Sequence, residues 1–75
     1  MGDQIPVGNE IIFMVEEAEE GGYTAVALGE PIVTEADTMT ELKTMVRDAV
    51  RCHFGEGNGP AIIRLHLVKE EVISA

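Results

Sequence analysis

Apolar residues recur at helical spacing in one long stretch of this chain, Thr38 to Phe54, where Leu42, Met45, Val46, Ala49, Val50 and Phe54 form a single stripe. Thr38 followed three residues later by Glu41 has the form of a capping box, and Gly55 stands where a helix ends on a positive φ angle. Gly57, Asn58, Gly59 and Pro60 then forbid continuation. The spacing therefore predicts one helix, and its stripe must be covered.

The remaining apolar runs are short and read as strands. Ile11 to Val15 is apolar on both parities, which suits an interior strand. Glu16 to Gly22 is a turn, because paired glycines take the positive φ values that tight hairpins require. Tyr23 to Leu28, Ile32 to Ala36 and Ala61 to Val68 follow as strands. Residues 1–9 read as a loose arm in which Ile5 and Val7 pack somewhere, and Val72 and Ile73 in the tail remain able to pair.

The predicted fold class is α+β, in the order β-β-β-α-β: an antiparallel three-stranded meander, then a helix, then a fourth strand, in one domain over residues 10–75. A right-handed crossover through the helix returns the last strand beside the first and parallel to it. One helix covers only one face of such a sheet. Ile12, Met14 and the ring of Tyr23 are then expected on the other face, and a homo-oligomer, dimer or tetramer, is expected to bury it.

Charge changes this picture more than composition does. The chain carries a net charge of −9 over 75 residues, and Asp3, Glu10, Glu16, Glu17, Glu19, Glu20, Glu30, Glu35 and Asp37 precede the first base. All five bases, Lys43, Arg47, Arg51, Arg64 and Lys69, lie in the helix, the last strand and its end. Long-range repulsion from phosphates disfavours nucleic acid as a partner of this domain alone and favours a basic protein. The single cysteine, Cys52, forms no internal disulfide, and no basic and apolar leader precedes the first strand, so a cytoplasmic setting is expected. The longest purely apolar run, Ile11 to Val15, is far below the roughly 20 residues that span a bilayer, so no membrane partner is expected.

Several short motifs resemble those of the HicB-like family of antitoxins and antitoxin-related domains: Glu20-Gly21-Gly22-Tyr23-Thr24-Ala25, then Thr34-Glu35-Ala36-Asp37-Thr38, then Glu41 and Val46-Arg47-Asp48-Ala49-Val50. The resemblance covers about residues 10–54 and implies a truncated relative of the ribonuclease H arrangement, with the same strand order. Met45 stands where that family usually has an Asn, and Gly29-Glu30-Pro31 replaces its usual turn. Full HicB antitoxins continue into a DNA-binding domain, which the 75 residues here do not include. The resemblance implies a partner of the HicA toxin type, a small basic RNA-cleaving protein.

Candidate chemistry is sparse. A two-metal nuclease needs carboxylates converging from the central strand, where this chain has Phe13, Met14 and Val15. Cys52 and His53 point about 100° apart on a helix and do not readily share one ion, and His66 alternates outward between Leu65 and Leu67. Gly55, Gly57 and Gly59 leave a helix C-terminus, the wrong direction for a phosphate cradle. No catalytic, cofactor-binding or metal residues are therefore assigned. The expected function is a non-enzymatic interaction domain resembling the toxin-binding half of a HicB-type antitoxin; the alternative is an enzyme or enzyme accessory subunit of unknown substrate. Glu16, Glu17, Glu19, Glu20 and Tyr23 are the expected partner-binding residues, and Ile12, Met14, Arg47 and Arg51 the expected oligomer interface.

Overall fold

The computed structural model describes residues 9–69 and 72–75. The expected packing of Ile5 and Val7 lies outside the described residues. The elements are β1 (Glu10–Glu17), β2 (Tyr23–Ala27), β3 (Val33–Ala36), α1 (Met39–Phe54) and β4 (Ile62–Val68). They form one four-stranded mixed sheet in the order β3-β2-β1-β4, with β1 antiparallel to β2, β2 antiparallel to β3, and β4 parallel to β1. The predicted α+β topology is the observed one.

Sequence dictates the local turns. Gly21 and Gly22 have φ of +100° and +90°, and the Ala18 and Gly22 backbones bond at 2.9 Å to close the first hairpin. Positive φ is cheap only for glycine, so the hairpin turns here. Thr38 accepts a hydrogen bond from the Glu41 N–H at 3.1 Å and starts α1. The cap is one-sided: among the described residues no return bond from the Glu41 carboxylate accompanies it. At the far end Gly55, with φ of +89°, donates its N–H to the Arg51 carbonyl at 2.8 Å.

Cross-strand rows define the two faces of the sheet. On the helix side Phe13 pairs with Ala27 and Leu65, and Val15 with Ala25 and Leu67. Leu42, Val46 and Val50 of α1 are buried against this side, with Ile11, Phe13, Val15, Ala25, Ala27 and Ile32. Ala25, Ala27 and Ala36 are small, so α1 settles over β2 and β3 while Phe13 fills the middle. Phe13 is fully buried, which stabilises the fold by about 1.5–3 kcal/mol.

A helix is about 10–12 Å across, whereas four strands place the outer two about 14 Å apart. One helix therefore cannot cover the sheet. Ile63 and Leu65 of β4 are half-buried and Leu67, on the same side, is 62% exposed. Val72 and Ile73, left able to pair by the sequence, join no strand and are exposed. Among the described residues no helix is long and apolar enough to cross a membrane.

Candidate partner-binding surface

The face away from α1 is built in rows. His66, Met14, Val26 and Val33 lie side by side across all four strands. Val68, Glu16, Thr24 and Glu35 form the adjacent row, and Arg64 flanks Ile12 on the other side. Ile12 and Met14 are half-buried by their neighbours, while Val26, Leu28 and Val33 are exposed. The result is an apolar patch bounded at the hairpin end by two carboxylates, one on β1 and one on β3.

The five expected partner-binding residues do not share a face. β1 extends to Glu17, two residues beyond the predicted end, so Glu16 pairs with Thr24 on the open face while Glu17 pairs with Tyr23 on the helix side. Glu19 and Glu20 sit in the turn between them and are exposed. Tyr23 is therefore corrected: it packs, half-buried, against the core, because its register partner Glu17 has the parity of Phe13 and Val15. It also lines a groove with Asp37, Glu41 and Met45. The acidic character thus wraps around the hairpin end, from Glu16 and Glu35 on the open face to Asp37 and Glu41 beside α1. Glu35, Val26 and Val33 were not singled out from sequence; their signal was parity, legible only once the β2–β3 register is known.

The expected oligomer residues are also separated. Ile12 and Met14 lie on the open face, whereas Arg47 and Arg51 project from α1, which covers the other side. Arg51 pairs with Asp48, one helical turn before it, at 3.5 Å. Arg47 instead lines a shallow groove with Lys43, Val46, Ile63 and Leu65, where α1 leaves β4 partly uncovered.

Two further polar pairs tie elements of the fold together. Arg64 holds Glu10 with two bonds of 2.9 and 3.1 Å, and this bidentate contact lowers the Glu10 carboxyl below the usual carboxylate range. His53 bonds Glu30 at 3.0 Å, tying the end of α1 to the β2–β3 turn. Cys52 is exposed. Among the described residues no three His, Cys, Asp or Glu side chains are grouped so that they could hold a metal ion. Cys52, His53 and His66 are not brought together.

These features define a class: a small α+β domain with one helix-covered face, one open face and an acidic end. Over 52 residues the chain is 56% identical to a UPF0150 protein of Archaeoglobus fulgidus, covering 69% of this chain and 77% of that relative. Over 65 residues it is 42% identical to a UPF0150 protein of Thermotoga maritima, covering 87% of this chain and 91% of that relative. The chain belongs to the UPF0150 family. No family model matches the chain, and no solved structure matches it.

Proposed function

We propose that this chain is a non-enzymatic protein-interaction domain, resembling the toxin-binding half of a HicB-type antitoxin, whose open face and acidic end engage a small basic protein in the cytoplasm. One observation carries the reading. The apolar row Met14, Val26 and Val33 adjoins the row Glu16, Thr24 and Glu35 on a face that no other described element covers. An apolar centre edged by carboxylates suits a partner that brings aliphatic or aromatic anchors ringed by Lys and Arg, with the charges speeding encounter and fixing orientation. The lone free thiol Cys52 supports the compartment assigned.

The test is native co-purification of the full chain from its source cells at low salt, with mass spectrometry of what co-elutes. A small basic protein in stoichiometric amount is the expected result. Its association with the double variant Glu16→Lys and Glu35→Lys should slow by about tenfold or more at low salt and by less at high salt. Recovery of the chain without any basic partner, or binding indifferent to both substitutions, rejects the reading.

A further inference from the structure

The two edges of the sheet are not equivalent. β3 is four residues long, follows Pro31 closely, carries Glu35 and has α1 packed beside it. β4 has seven residues, Ile-Ile-Arg-Leu-His-Leu-Val, with no proline and no acid. Long apolar edge strands are usually blunted by charge, bulges or cover, because their free N–H and C=O groups template pairing with another chain. Among the described residues β4 has none of these protections beyond Arg64 and His66, and Arg64 is already engaged by Glu10.

We infer that β4 pairs antiparallel with β4 of a second copy across a two-fold axis through Leu65, joining the two sheets into one of eight strands. A two-fold normal to the sheet keeps both helices on one side and sets a residue opposite its own copy. Leu65 is the centre of Ile62–Val68, so that register alone pairs the whole strand. It places Ile63 opposite the second copy's Leu67 and Leu65 opposite Leu65 on the helix side, covering the row that α1 leaves open. On the other face Ile62 meets Val68, and Arg64 meets His66. Centring on Arg64 would set two guanidinium groups directly opposite, which is unfavourable.

Charge supports a second copy as the occupant. The two-fold reverses strand direction, so the strand end bearing Glu17 on the helix side of one copy comes alongside the Ile63 end of the other, where Lys43 and Arg47 line the groove. Acidic and basic ends are thereby matched twice, although each chain is acidic as a whole. The inference stands apart from the basic-partner reading, since the open face of each copy stays free.

Sedimentation velocity of the full chain at micromolar concentrations tests it. A dimer is expected. Leu67→Lys, at an exposed position that leaves the circular dichroism unchanged, should weaken it by roughly tenfold or more by setting a charge opposite Ile63 twice. His66→Glu should tighten it severalfold and His66→Lys loosen it, because each faces Arg64 of the other copy. Val26→Lys, on the open face, should leave it unchanged. A wild-type monomer throughout, a dimer indifferent to Leu67→Lys, or one lost with Val26→Lys but not with Leu67→Lys, overturns the assignment.

Discussion

Glu10 and Arg64 join the first and last strands: the carboxylate at the start of β1 takes both a 2.9 Å and a 3.1 Å bond from a guanidinium 54 positions further along the chain. The pair lies at the surface, with the arginine side chain 57% exposed, so its worth is reduced by solvent screening. Its pH signature is still definite. The folded carboxyl ionises below its ordinary value, so its contribution is complete above that value and is lost as pH falls through the depressed folded one. Urea unfolding of the wild type and of Glu10→Gln should therefore differ near neutral pH, and the difference should shrink in acid. A gap that persists below the carboxylate range would show that the substitution acts by another route.

Thr34 offers a stabilising substitution. Its Oγ1 is buried on the helix side of β3 with no hydrogen-bond partner among the described residues. Thr34→Val keeps the shape and the β-branched form while removing the unsatisfied hydroxyl, and should stabilise the chain by about 1 kcal/mol. Chemical denaturation with an unchanged slope is the check; a loss of stability would mean that the hydroxyl has a partner in solution.

The adjacent hairpin glycines should respond unequally to alanine. At Gly21 an added methyl meets nothing within 4 Å, so Gly21→Ala carries only the penalty of its φ, of order 1–3 kcal/mol. At Gly22 the methyl would also come within 3.3 Å of the Ala36 carbonyl, which belongs to β3 and cannot move freely. Gly22→Ala should thus be the more damaging in thermal melts, and equal effects would count against this packing of the turn on β3.

Leu42 is fully buried at the first inward turn of α1. Leu42→Ala should cost about 2–5 kcal/mol, which is most of what a chain this short has to lose. A broad, early unfolding transition is the expected observation. Near-native stability would mean that α1 is not the main cover of the sheet.

The helix and the strand order were legible because each rests on a local signal. Thr38, Gly55 and a stripe ending at Phe54 bound α1 to within a residue. The all-apolar Ile11 to Val15 pointed to a central strand, and the parallel β1–β4 ladder places it there. What escaped was register. Taking the hairpin turn to begin at Glu16 rather than Ala18 hid the Glu17–Tyr23 pair, and with it the side on which Tyr23 lies. Glu35 beside Thr24, and Glu10 beneath Arg64, are likewise relationships between distant residues that no local pattern encodes.

The parallel ladder between β1 and β4 also sets a timetable. Ribosomes deliver the chain from its N-terminal side, so β1, β2, β3 and α1 are all available while one flank of β1 still waits for Ile62–Val68. During that interval Ile11, Phe13 and Val15 sit on an unpaired edge, and pairing over so long a loop is intrinsically slow. The nascent domain is therefore most open to capture, by a chaperone or by a neighbouring nascent chain, just before its last strand arrives. The strand that ends this vulnerable period is β4, which then becomes the outermost edge itself.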